Sequence, residues 1–154
     1  MAPNWIVGKS PKSLDNSTIE DIKQLFLRET GEVYFEGSIR NLPIQDWGGN
    51  LLLIDRNNQN NVKGLLWATK FSRERARIVA FAIDEEFQGQ GFGSEGWNLF
   101  IQACVEAGHS EVQLEVRADN QAAIDFYRRR GLEVIGELEG YYQSGLGLIM
   151  RGQI

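Results

Sequence analysis

Hydrophobic positions along the chain change period several times, and each change marks an element. Asn4-Trp5-Ile6-Val7-Gly8 reads as a short first strand. Ser17-Thr18-Ile19-Glu20 then spells a capping box opening a helix whose apolar face is Ile19, Ile22, Leu25 and Phe26. From Gly31 to Gly49, Tyr34, Phe35, Ile39, Leu42, Ile44 and Trp47 are scattered among turn residues, which predicts one short helix plus loop. Leu51 to Asp55 and Val62 to Phe71 are strand-like runs separated by Asn57-Asn58-Gln59-Asn60-Asn61, a polar stretch suited to a hairpin turn. Arg77 to Ile83 follows the charged turn Ser72-Arg73-Glu74-Arg75 and adds a third antiparallel strand.

The second half switches between periods of 3.6 and 2. Ser94 to Ala107 places Trp97, Phe100, Ile101, Cys104 and Val105 on one helical face, closed by Gly108, so Cys104 is expected in the core. Glu111 to Arg117 alternates, with Val112, Leu114 and Val116 on one face and Gln113, Glu115 and Arg117 on the other. Asn120 is placed to cap a helix carrying Ala123, Phe126 and Tyr127, which Gly131 stops. Leu132 to Glu137 and Leu146 to Met150 are two last strands, joined through 140–145. Strand, helix and strand between Arg77 and Arg117 make a βαβ unit, whose strands run parallel with a right-handed crossover. The whole predicts a mixed sheet in an α/β layer, with ligands expected at the turns after Ile83 and Arg117.

Length and charge narrow the function. The 154 residues suit one domain, 1–154, and a net charge of −5 argues against nucleic acid, which is bound through clustered Lys and Arg. The dense basic run, Arg128-Arg129-Arg130, ends at Gly131 and reads as a solvated last helical turn that suits the helix dipole. One cysteine excludes an internal disulfide, and no signal peptide or long apolar span stands out, so a reducing cytoplasm and no membrane are expected. His109 follows Gly108 in a turn and reads as a surface residue; no metal-ligand cluster is visible. Glycine is the outlier, at 17 residues or about 11% against an average of roughly 7%.

Part of that excess gathers in Gln88-Gly89-Gln90-Gly91-Phe92-Gly93-Ser94, between a strand and a helix. Small residues there let backbone approach a ligand, and the helix's unpaired amides with its dipole favour an anion such as a pyrophosphate. A plain glycine-rich turn is the alternative. Gly91 to Gly96 matches the dinucleotide fingerprint GxGxxG by letter, but seven residues separate Ile83 from Gly91 where the fingerprint needs none. No Gly-Lys-Ser/Thr follows, so a Walker A loop is excluded.

The segment resembles the acyl-CoA loop of the GNAT superfamily of N-acetyltransferases: Gln or Arg, two residues, Gly, one residue, then Gly or Ala, here Gln88 to Gly93. The resemblance extends through Phe81-Ala82-Ile83-Asp84, Leu114-Glu115-Val116-Arg117-Ala118-Asp119-Asn120, Ala122-Ala123, Phe126-Tyr127 and Arg130-Gly131-Leu132, covering roughly 77 to 150. Within the superfamily it is most similar to the N-terminal acetyltransferases that modify ribosomal proteins. Glu85 stands where the family often has Pro, and residues 1 to 76 match in element order only.

That resemblance implies a mostly antiparallel central sheet with one parallel crossover pair and helices on both faces. It implies acetyl-CoA as donor and an amine acceptor, a protein N-terminus or a small amine, for a monomer or homodimer. Phe81, Ala82 and Ile83 would lie beside the pantetheine and thioester, and Gln88, Gly89, Gln90, Gly91, Phe92, Gly93 and Ser94 around the pyrophosphate. Glu115 corresponds to the general base, Tyr127 to the general acid, Asn120 to a contact of the pantetheine arm, and Tyr141 and Tyr142 to a peptide groove. Each has a plainer reading: a paired strand carboxylate for Glu115, helix packing for Tyr127, a cap for Asn120 and hairpin packing for the two tyrosines. A non-catalytic acyl-CoA-binding module is the remaining alternative.

Overall fold

The structure, a computed structural model, describes residues 3–56, 61–140 and 145–154. Its strands are β1 (Asn4–Val7), β2 (Asn50–Asp55), β3 (Asn61–Lys70), β4 (Arg75–Ile83), β5 (Glu111–Arg117), β6 (Glu133–Leu138) and β7 (Gly147–Gln153). Its helices are α1 (Asn16–Thr30), α2 (Glu36–Arg40), α3 (Phe92–Glu106) and α4 (Gln121–Arg128). The sheet runs β1-β2-β3-β4-β5-β7-β6, antiparallel throughout except where β4 pairs β5 in parallel.

Two cores cover the sheet's two faces. On one, Trp97, Phe100 and Cys104 of α3 and Ile124 and Tyr127 of α4 pack on Leu51, Leu53, Leu66, Ile78, Val112, Leu114, Val116 and Met150. On the other, Ile19, Ile22, Leu25 and Phe26 of α1 and Ile39 of α2 pack on Leu52, Leu65, Trp67 and Ala82. Neighbours such as Leu51, Leu52 and Leu53 are therefore all buried, because a strand covered on both sides reads as a continuous apolar run.

Several local expectations are corrected. Asp15, not Ser17, caps α1: its carboxylate accepts from Thr18 N at 2.8 Å, and Glu20 instead accepts from Gln24. The short helix of the 31–49 stretch is α2. α3 begins at Phe92, two residues before the expected Ser94, and Val105 faces solvent at 61% exposure rather than joining the apolar face. It ends on Gly108 N to Val105 O and His109 N to Cys104 O bonds. His109 is not on the surface. It is 8% exposed, edge-on to Trp47 with ring centroids 5.8 Å apart, and neither ring nitrogen has a hydrogen-bond partner among the described residues. Turn residues are ordinarily exposed, but this one is buried against Trp47 of a distant loop.

Candidate active site

β4 and β5 pair only from Arg75↔Glu111 to Ile78↔Leu114. Beyond that, β4 follows β3 as far as Ile83, while β5 follows β7 to Arg117. The divergence has a local cause. Trp67 pairs Ala80 and Ala68 pairs Ile78, so Val79 is an extra residue in β4, and such a bulge bends its strand. The gap is a cleft of about 550 Å³.

One wall comes from Phe81 and Ala82 of β4 and Leu114 to Arg117 of β5, and another from Asn120, Ala123 and Tyr127. Phe26, Glu29, Thr30, Glu32 and Tyr34 close the side formed by α1 and the loop after it. The cleft therefore brings together Phe81, Ala82, Glu115, Asn120 and Tyr127 of the sequence-derived set.

Glu115 is 10% exposed by side chain, and both its oxygens accept from Arg77 Nε, at 3.0 and 3.1 Å. That contact fixes the carboxylate at the point where the strands part. Tyr127 is 7% exposed, packs against Trp97 and Phe126 with centroids 5.9 and 5.5 Å away, and also lines the cleft, so helix packing does not remove it from the site. Asn120 caps α4, its oxygen accepting from Ala123 N at 3.2 Å, while its residue lines the same space. Around the mouth, Arg117 meets Asp119 at 3.2 Å and Glu32 at 4.0 Å, and four carboxylates, Glu29, Glu32, Glu115 and Asp119, share the lining.

The glycine loop lies beside this cleft. Ile83 supports it from beneath: a Cβ at Gly93 would stand 3.6 Å from the Ile83 side chain and 3.5 Å from Phe126. Phe126 in turn meets the cleft residue Phe81 edge-on at 5.8 Å, so one ring joins loop and cleft. Gly89 and Gly91 have φ of +73° and +90°, and a Cβ at either would meet nothing within 4 Å. They are glycine for backbone conformation, and they leave the approach to the α3 amides open. Those first amides lack intrahelical acceptors. A diphosphate group fits this cradle, and the arm of a thioester donor fits the cleft beyond it. Gln88 is used structurally, donating to Ile83 O at 2.7 Å and to Glu29 at 2.8 Å. Gln90 bonds back to Glu86 O at 2.9 Å. Tyr141 and Tyr142 lie outside the described residues.

Arg77, Tyr34, Glu29 and Glu32 were not identified from the sequence. Alternation of Arg75 and Arg77 on β4 opposite Glu111 and Glu115 on β5 was the available signal for Arg77; the other three sit where the resemblance covers element order only. The basic triplet also divides: Arg128 and Arg129 are exposed, whereas Arg130 turns back onto the amino end of α3, donating to Ser94 Oγ at 2.6 Å.

A mixed sheet split at its one parallel pair, with a glycine-opened helix beside the split, defines a site built for a long donor with an anionic end. The family model described as Acetyltransferase (GNAT) family matches residues 19–132, and the chain belongs to that family. Ard1 from Thermoplasma volcanium is 30% identical, with a TM-score of 0.82 over 100% of this chain and 99% of that one. The ribosomal-protein-S18-alanine N-acetyltransferase from Escherichia coli shares the fold at a TM-score of 0.76 and 19% identity, over 99% and 94% of the two chains. Other solved structures of this fold hold coenzyme A or acetyl-CoA. A curated relative, mycothiol acetyltransferase of Kytococcus sedentarius, is 30% identical over 58% of this chain and 31% of its own length. The chain spans less than half the length of the first curated relatives it matches. No helix among the described residues is long and apolar enough to cross a membrane.

Proposed function

We propose that residues 1–154 act as one acetyltransferase domain, moving an acetyl group from acetyl-CoA to the α-amino group of a protein or peptide. The observation that carries this is the placement of Glu115, Asn120 and Tyr127 around one split between β4 and β5, beside the glycine loop. The donor supplies an activated acetyl thioester. Amides of Gly89 to Ser94 hold its diphosphate, and β4 residues 81–83 line its arm. Glu115, oriented by Arg77, takes the proton that the amine must lose. Tyr127, across the cleft, gives a proton to the departing sulfur. A phenol near pKa 10 protonating a thiolate whose acid is near 8.5 is uphill by about 2 kcal/mol.

Two arguments favour an α-amine. At pH 7, deprotonating one costs about 1 kcal/mol, against about 4.6 for lysine, so a single carboxylate base suits the former. The carboxylates at the mouth also attract an acceptor that arrives as a cation. Likeness to the S18-alanine enzyme supports the same reading, while the mycothiol relative favours a small-molecule amine.

Thiol release and product mass with acetyl-CoA, on a peptide library set against lysine, polyamine and other small amines, decides between them. Turnover of peptides with free N-termini, and none of N-blocked lysine peptides, is expected. Turnover confined to non-peptide amines would transfer the reading to a small-molecule enzyme, and binding of acetyl-CoA without any turnover would leave a binding module.

A further inference from the structure

Arg130 occupies a position that the proposed chemistry does not use. Its guanidinium lies 3.5 Å from the centroid of the Phe126 ring, Nη1 donates to Phe126 O at 3.0 Å, and Nη2 donates to Ser94 Oγ at 2.6 Å. Ser94 is the third residue of α3, so these three contacts hold a cation against that helix's amino end. Helix electrostatics oppose the placement, since the amino end carries partial positive charge. No ion pair to Arg130 exists among the described residues. A basic side chain fixed beside unpaired amides, on a glycine loop, is an arrangement completed by an anion.

We propose that Arg130 is a donor-binding residue that contacts a phosphate of coenzyme A and so makes the protein discriminate phosphorylated donors from shorter thioesters. The inference rests on the glycine loop holding the diphosphate, as proposed above. Burial, and then the neighbouring charge of Arg129, push the Arg130 pKa below its ordinary value, a strain that a bound phosphate would relieve. The stack on Phe126 also ties this cation to Phe81 in the cleft, so filling the phosphate site braces the wall beside the thioester.

Two donors separate this role from a structural one. S-acetylpantetheine carries the thioester and arm without the nucleotide phosphates, and acetyl-CoA carries all of them. In Arg130→Leu, which keeps an apolar side chain on Phe126, kcat/KM for acetyl-CoA is expected to fall about tenfold or more, the usual loss for a hydrogen bond to a charged group. The value for S-acetylpantetheine should stay unchanged, and Arg130→Lys should recover much of the loss. Calorimetry with coenzyme A alone should show the same weakening, independent of any acceptor. Equal losses with both donors, or none with either, would overturn the proposal. Failure of the unaltered protein to bind coenzyme A at all would instead defeat the cradle reading on which it stands.

Discussion

The role proposed for Glu115 is one that its residue type alone does not confer. A glutamate on an alternating strand is ordinarily a solvated or paired group, and this one is paired, with both oxygens on Arg77 Nε. Pairing and chemistry are compatible here because the guanidinium approaches from β4 while the cleft opens beyond the last β4–β5 pair. Glu115→Gln is therefore expected to lower kcat about 10²- to 10⁴-fold, the usual range for losing a general base, with KM for acetyl-CoA little changed. A variant whose kcat is preserved, or whose loss lies entirely in donor KM, would remove Glu115 from the chemistry. Steady-state kinetics with a peptide acceptor would read the difference.

Among the elements, α3 is fixed by a glycine whose part is packing rather than ligand approach. A Cβ on Gly96 would stand 2.6 Å from Trp5, whose Nε1 donates to Phe92 O at 3.0 Å. The edge strand β1 thus clamps the first turn of α3, the turn that opens onto the glycine loop. Gly96→Ala must push the indole aside, and overpacking of this kind costs about 1–3 kcal/mol. Lowered thermal stability with weakened coenzyme A binding is the expected result; an unchanged melting temperature would mean that Trp5 gives way without cost.

Elements with strong periods are legible in the sequence: β5 has its expected bounds, and α4 has its expected Asn120 cap, although it ends at Arg128, three residues before Gly131. What escaped depended on tertiary contact. The capping box expected at Ser17 gives way to Asp15, two residues earlier in the chain, whose carboxylate accepts from Thr18 N. His109 was misread because burial of a turn depends on the distant loop around Trp47. Arg130 was indistinguishable from Arg128 and Arg129 until the chain reversal at Gly131 turned it toward Ser94.

At the scale of the molecule, the proposed donor site draws on β4, β5, α3 and α4, whereas α1 supplies the opposite wall. These parts are also tied together outside the cleft. Arg28 meets Asp84 at 2.8 Å, and Glu29 accepts from Gln88 and from the backbone of Glu85. A ligand bridging such parts stabilises the native state by about 2.7 kcal/mol at 100 times its Kd. For a chain of this size, that corresponds to a rise of roughly 5–10 °C in melting temperature. Scanning calorimetry with and without coenzyme A should show it, and an unmoved transition at saturating ligand would argue against donor binding.

Cys104 has a practical consequence beyond packing. It is the single cysteine of the chain, fully buried on the inner face of α3, and burial pushes its thiol pKa up to about 12. At neutral pH the folded protein therefore offers no thiolate to an external electrophile. A disulfide reagent added to a reaction would report only the sulfur released from the donor. The same reagent, applied without donor, would count the molecules that have lost their fold: each unfolded chain supplies one reactive sulfur and each native chain none.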